Sequence, residues 1–183
     1  IITFNEEKNI GRCLDSVKDI ADDIVVFDSF STDKTEEICK KYNVKFIQQK
    51  WEGYSTTKNS ANERAKFDWI LSLDADEALS EELKKSINDW KKLSSPVIAK
   101  FSRLANYCGQ WIHHCGWYPD IKTRIFDRRK TKWLGEIHEK LSVLNEKDIF
   151  LLKGDHAVTL VAQKKSTTPP ESARQRKYFL FEC

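Results

Sequence analysis

The sequence predicts an α/β fold, a Rossmann-like mixed sheet with helices on both faces. Three observations carry that reading. Through the first half, short apolar runs alternate with amphipathic helical patterns about every 20 residues, the pattern of a parallel sheet covered by helices. Asn5, Asp28 and Asp74 each follow one of those runs directly, and in such sheets ligands bind beyond the carboxyl ends of the strands. After Ser94-Ser95-Pro96 the long helical patterns stop and strands succeed one another, so the second half is expected to add mixed or antiparallel strands to the same sheet.

In order, Ile1 to Phe4 reads as the end of a buried strand, and Asn5 with Glu6 and Glu7 as a helix N-cap followed by first-turn acids. Ile10, Leu14, Val17 and Ala21 continue at helical spacing. Ile24 to Phe27 is a second strand ending at Asp28, and Ile38, Cys39 and Tyr42 mark the next helix. Val44 to Ile47 is a third strand. A Gly53 turn leads to a polar helix from Ser55 to Lys66, and Trp69 to Leu73 forms the strand that closes on Asp74. Ser80 caps a helix that buries Leu83, Ile87 and Trp90. Val97 to Leu104, Lys122 to Asp127, Lys132 to Leu134 and Ile149 to Leu152 then read as strands.

At 183 residues the chain fits one domain with elaborations. We expect a body over 1–162, divided into a nucleotide half (1–96) and an acceptor half (97–162), then a Ser-Thr-Thr-Pro-Pro linker and a basic-aromatic tail over 163–183. The composition, 40% hydrophobic and 32% charged, is globular rather than disordered. Six tryptophans suit sugar or base stacking, although most tryptophans simply pack. A net charge of +3 gives no global nucleic-acid footprint. Locally, Lys122, Arg124, Arg128, Arg129, Lys130 and Lys132 crowd one stretch, which suits phosphates, an anionic membrane surface, or an ordinary solvated hairpin.

The five cysteines contain no CxxC pair, consistent with a reducing compartment. Cys108, His113, His114 and Cys115 match no familiar zinc spacing. No run reaches the roughly 20 apolar residues a membrane span needs, and no signal peptide is visible. A cytoplasmic location follows as the expectation, with peripheral contact at the inner face of the membrane through the basic stretch and tail. The opening inside an apolar run predicts further residues upstream.

The chemistry concentrates at Asp74-Ala75-Asp76-Glu77. Three carboxylates this close repel unless a cation offsets them. An Asp-x-Asp pair holds a hard divalent cation, Mg²⁺ or Mn²⁺, while leaving coordination positions for substrate phosphates. Glu77 fits either a supporting role or a helix-start acid.

Ordered motifs add a resemblance. Ile2-Thr3-Phe4-Asn5-Glu6-Glu7, Val26 to Thr35, Lys58-Asn59 and Leu73-Asp74-Ala75-Asp76-Glu77 resemble successive signature blocks of family 2 glycosyltransferases with the GT-A fold. Gly116-Trp117-Tyr118-Pro119-Asp120, Arg124-Ile125-Phe126 and Ile137-His138-Glu139-Lys140-Leu141 resemble the branch that adds sugars to the lipopolysaccharide inner core.

The resemblance implies inverting transfer from a nucleotide-sugar donor, a UDP-hexose, to a hydroxyl of a glycan or glycolipid acceptor. It implies Thr3, Asn5 and Glu7 bordering the nucleoside, Asp28 accepting from the base, and Lys58 near base and ribose. Asp74 and Ala75 would face the ribose side of the cation site, with Asp76 as direct metal ligand and His156 near the metal or diphosphate. Glu139 matches the catalytic base, with Glu136 and Asp120 as rivals. Trp117, Tyr118, Arg124 and His138 fall on the acceptor side; His138 can equally orient the base, touch phosphate or make a structural hydrogen bond.

Other classes share parts of this pattern. An aspartyl phosphohydrolase wants its Asp-x-Asp on the first strand. A metal-dependent nucleotidyltransferase would share nucleotide and cation but release pyrophosphate. A non-catalytic carbohydrate-binding protein would have little use for three aligned acids, each of which costs stability when nothing is bound.

Overall fold

The computed structural model describes residues 1–94, 96–136, 139–142 and 149–160. His138 and the 163–183 tail lie outside the described residues.

The first three strands build as their pattern requires. Strands β1 (Ile2–Thr3), β2 (Val25–Asp28) and β3 (Lys45–Gln48) form a parallel sheet with β2 in the centre. Helices α1 (Ile10–Val17), α2 (Thr35–Cys39) and α3 (Tyr54–Glu63) make the crossovers. All four residues of β2 are buried, because both of its faces are covered. Val26 packs with Ile10, Leu14 and Cys39 from α1 and α2, while Val25 and Phe27 pack with Ala61 from α3. Each such side chain contributes about 1.5–3 kcal/mol by leaving water.

One boundary differs from expectation. Helix α1 begins at Ile10, and Asn5 does not cap it: Asn5 has φ 53°, and its side-chain oxygen accepts from the Thr32 amide at 2.8 Å. Asparagine tolerates this left-handed conformation, so residues 5–9 turn to meet the loop after β2.

The later strands form a six-stranded mixed sheet. It contains β4 (Trp69–Leu71), β5 (Glu77–Leu79), β6 (Ala99–Tyr107), β7 (Gln110–Ile112), β8 (Asp120–Asp127) and β11 (Phe150–Leu160), in the order β4-β8-β6-β11-β5 with β7 beside β6. Helix α4 (Glu81–Lys91) follows β5, and Ser80 caps it as expected by accepting from the Leu83 amide at 3.2 Å. Strands β9 (Trp133–Leu134) and β10 (Lys140–Leu141) form a separate antiparallel pair.

The sequence reading missed β5, where Glu77 sits in a strand rather than at a helix start. β5 pairs antiparallel with β11, which runs parallel to β6. Against expectation, the later strands do not extend the first sheet: β4, expected in the parallel sheet, pairs antiparallel with β8, so residues 1–96 contribute β4 and β5 to a second sheet. The sheets meet where the Ala75 amide donates to the Ile2 carbonyl at 3.2 Å, beside a parallel bridge between Ile2 and Asp74. That contact sets the acidic turn next to β1. A cavity of about 510 Å³ opens at the opposite, amino end of the strands, between Ile24 and Val25 of one sheet and Trp69 and Ile70 of the other.

Candidate active site

The carboxyl rim is tied together loop to loop. The Asn5 amide donates to Ser31 Oγ at 2.8 Å, the Glu7 amide to Asp33 Oδ2 at 3.0 Å, and the Lys34 amide to Glu7 Oε2 at 3.2 Å. Asp28 is fully buried and accepts from the Ser31 amide (2.9 Å), the Ser31 hydroxyl (2.5 Å) and Gln48 Nε2 (3.3 Å). These donors fix its carboxylate at the end of β2. On neighbouring β1, the buried Thr3 hydroxyl has no hydrogen-bond partner among the described residues. A buried polar atom without a partner costs about 1–3 kcal/mol, so a ligand hydrogen bond at Thr3 would relieve a real penalty.

The acidic turn is held from several sides. The Glu77 amide donates to the Asp74 carbonyl at 3.0 Å, and Glu77 Oε2 accepts the Asp74 amide at 3.0 Å. From α1, Arg12 donates to the Asp76 carbonyl at 2.7 Å and Cys13 Sγ lies 3.7 Å from the Asp74 carbonyl. Burial pushes the Cys13 thiol up to about 12, so it stays protonated and able to donate.

Beneath the turn, Arg124 reaches Glu77 Oε1 at 2.6 Å and lies 3.8 Å from Asp74 Oδ2. His156 contacts the same Glu77 oxygen through Nε2 at 3.2 Å and the Ser102 carbonyl through Nδ1 at 3.1 Å. Burial alone would push the Glu77 carboxyl up. Arg124 first, then His156 and the Asp74 amide, outweigh it and hold that carboxyl well below the usual range.

Two sequence-level expectations change here. Arg124 is buried and committed to Glu77, so it does not present itself to an acceptor. His156 is fully buried with both ring nitrogens engaged, which leaves neither for a cation. The sequence carried only part of that signal: Arg124 directly precedes Ile125-Phe126 and His156 precedes Ala157-Val158, and a polar group drawn into the core with such a run needs a partner.

Lys58 joins the rim to the second half. Its ammonium is 3.2 Å from Asp74 Oδ1 and 2.8 Å from Glu139 Oε1, and lies over the Trp133 ring at 4.7 Å. Helix α3 makes that meeting possible through one face. Ser55 donates to the Gly135 carbonyl, and Asn59 exchanges two 2.9 Å hydrogen bonds with the Trp133 backbone. Positions 55, 58 and 59 share a face by helical spacing, and they carry β9 and the segment leading to Glu139. Of the rival bases, Asp120 is paired with Arg103 and Lys122, and Glu136 is exposed.

On the far side, Trp117 is 39% exposed beside Tyr107, while the Tyr118 hydroxyl donates to Asp155 at 3.0 Å. The basic stretch is largely spent internally. Arg128 caps the end of α3 by donating to the Asn62 and Ala65 carbonyls at 2.7 and 2.9 Å, and Arg129 pairs with Asp127 and Asp68. Lys130 and Lys132 are exposed.

Asp74 and Asp76 supply only oxygen donors, the chemistry Mg²⁺ and Mn²⁺ prefer. Among the described residues no three acidic, His or Cys side chains gather into a self-sufficient metal cage. That donor set fits a cation bound by one or two carboxylates and completed by substrate phosphates.

The comparisons agree with this architecture. The glycosyl transferase family 2 profile matches residues 1–148. An uncharacterized glycosyltransferase of Rickettsia bellii is 48% identical over 87 residues, covering 48% of this chain and 30% of that protein. The lipopolysaccharide core biosynthesis glycosyltransferase LpsC of Rhizobium meliloti is 32% identical over 103 residues, 54% of this chain and 38% of LpsC. The chain thus spans about a third of the length of these curated relatives. The crystal structure of S. aureus TarS 1-349 in complex with UDP matches with TM-score 0.64 at 18% identity, over 87% of this chain and 59% of that one. With a profile match running from β1 through the acidic turn and past Glu139, the chain belongs to glycosyl transferase family 2 and adopts the GT-A fold.

Proposed function

We propose that this chain transfers a sugar, with inversion, from a nucleotide-diphosphate sugar to a hydroxyl of a glycan or glycolipid acceptor. The observation that carries this reading is the meeting of Asp74 and Glu139 across the Lys58 ammonium, 81 residues from Glu139 in sequence. It sets a candidate base beside an acidic turn on the rim where such sheets bind ligands. The UDP bound by the TarS structure supports a UDP-sugar as donor, and LpsC supports a role in lipopolysaccharide core or cell-surface polysaccharide synthesis.

In this reading Thr3, Asn5, Glu7 and Asp28 border the nucleoside, with Asp28 accepting from the base and the Thr3 hydroxyl gaining a partner that the described residues do not give it. Asp76, assisted by Asp74 and the Ala75 backbone between them, would hold a divalent cation, which when bound offsets the negative charge that develops on the departing diphosphate. Lys58 shares one positive charge between two carboxylates, so a diphosphate competing for it releases Glu139. Glu139 then takes the acceptor hydroxyl proton as that oxygen attacks the anomeric carbon. Trp117 and Tyr118 face the acceptor.

Residues 1–162 act as one catalytic body with nucleotide and acceptor halves. Among the described residues no helix is long and apolar enough to cross a membrane. We place the protein in the cytoplasm, with Lys130 and Lys132 available for peripheral contact with an anionic membrane.

The test is Glu139→Gln, assayed with a panel of nucleotide sugars with and without Mn²⁺. The variant is expected to bind UDP as the wild type does and to lose transfer by at least about 100-fold. Transfer at the wild-type rate would remove Glu139 from its role. Full activity in chelator would remove the cation.

A further inference from the structure

Glu77, Arg124 and His156 are buried charged or titratable groups that no reacting atom in this reading touches. Burying such groups is expensive, and well-packed apolar residues of similar size often do better for stability. Their arrangement points to another use. Glu77 closes the 74–77 turn twice, once through its amide and once through its carboxylate, both onto the backbone of Asp74. Arg124 touches the Glu77 carboxylate and also approaches the Asp74 carboxylate. His156, set edge-on against Phe101 and tied to the Ser102 carbonyl, braces the Glu77 oxygen from the strand behind. The three residues come from three different strands, β5, β8 and β11, and converge on one turn.

We infer that Glu77, braced by Arg124 and His156, is a positioning residue that aims the Asp74 and Asp76 carboxylates at the divalent cation of the donor complex. This deepens the nucleotide-sugar reading and rests on it. A ligand carboxylate must be held within about 0.5 Å of its productive place, and a two-residue separation between ligands leaves that aim to the turn's backbone. Glu77 fixes the backbone on one side, while Arg12 and Cys13 fix the carbonyls of Asp76 and Asp74 on the other. Arg124 also offsets repulsion among the three acids, so the turn keeps its shape before a cation arrives.

The experiment measures Mn²⁺ binding by electron paramagnetic resonance and calorimetry, with UDP present, on the wild type, Glu77→Gln, His156→Gln and the double variant. Glu77→Gln is expected to weaken Mn²⁺ binding about tenfold, the range found when a partner that orients a ligand is lost. UDP affinity without cation should stay within about twofold, which a general loss of structure would not permit. The double variant should bind Mn²⁺ no worse than Glu77→Gln alone, because His156 acts through Glu77. Mn²⁺ affinity in Glu77→Gln within about twofold of wild type overturns the inference, as do losses that add in full. Should Glu77→Gln fail to fold, Arg124→Lys, which keeps the buried charge, is judged by the same criterion. Wild-type protein that binds no Mn²⁺ with UDP would sink the nucleotide-sugar reading itself, whereas wild-type binding with no defect in the variants sinks the positioning role alone.

Discussion

The two halves of the molecule assemble their parts of the site in opposite ways. In the first half the polar residues follow their strands immediately: Thr3 and Asn5 close β1, Asp28 ends β2, and the loops behind them are laced by side chain to backbone hydrogen bonds. In the second half the important side chains sit within or just before strands and arrive by distant pairing. Arg124 and His156 lie 47 and 79 residues from Glu77, and Glu139 lies 81 from Lys58. A rim made locally can tolerate change residue by residue, whereas a floor made of converging strands fails as a unit.

The largest effect expected from that contrast is Glu77→Ala, which takes the carboxylate from His156 and leaves the buried Arg124 only the Asp74 carboxylate, 3.8 Å away. A loss of about 3–5 kcal/mol of unfolding free energy is expected in urea titration. Asp28→Ala, in the local rim, should lose only about 1–3 kcal/mol, since its partners are a loop amide, a hydroxyl and a carboxamide. Equal losses would break the comparison.

Acid should probe the same difference. The Glu77 carboxyl in the folded state lies below its ordinary value of 4.5, so its ionised form adds stability at neutral pH. That contribution is fully present above the ordinary value and is lost as pH falls through the folded-state value. Urea midpoints measured downward from pH 7 should therefore fall more steeply below the ordinary carboxylate range in the wild type than in Glu77→Gln.

Gly154→Ala is next in size. Gly154 has φ 88°, and an added Cβ would stand 2.5 Å from the Leu83 backbone nitrogen at the start of α4. A loss of more than about 1 kcal/mol is expected in thermal melts, because the bulge in β11 before His156 depends on that close approach. The smallest expected effect on stability is Trp117→Ala. Its half-exposed ring should change stability by no more than about 0.5 kcal/mol, while the acceptor KM rises and the donor KM does not. An unchanged acceptor KM would move the acceptor elsewhere.

This contrast also explains what the sequence made legible. Strand and helix periodicity located β2, β3, α3 and α4, and the acids at strand ends were visible because a strand's last residue and its loop are neighbours in sequence. Glu139 was named only through a resemblance, and its ion pair with Lys58 was not foreseen, because a contact across 81 residues leaves no local pattern. Arg124 was assigned outward for a similar reason. Its neighbours suggested a basic surface stretch, but the last four residues of β8, Arg124 to Asp127, are all buried, which takes the Arg124 side chain out of water on whichever face it lies. Glu77 stayed open between a supporting role and a helix-start acid because Ser80 is a strong cap signal, and β5, only three residues long, exists by virtue of β11.

The stacking of Lys58 on Trp133 has an optical consequence. An ammonium 4.7 Å from an indole ring perturbs its excited state, and the ring nitrogen is buried without a hydrogen-bond partner among the described residues. Whatever draws Lys58 away from Glu139 changes that local field. Trp133 is thereby an intrinsic fluorophore placed at the proposed junction of donor and base, and the emission difference between wild type and Trp133→Phe would report the occupancy of that junction without any added label.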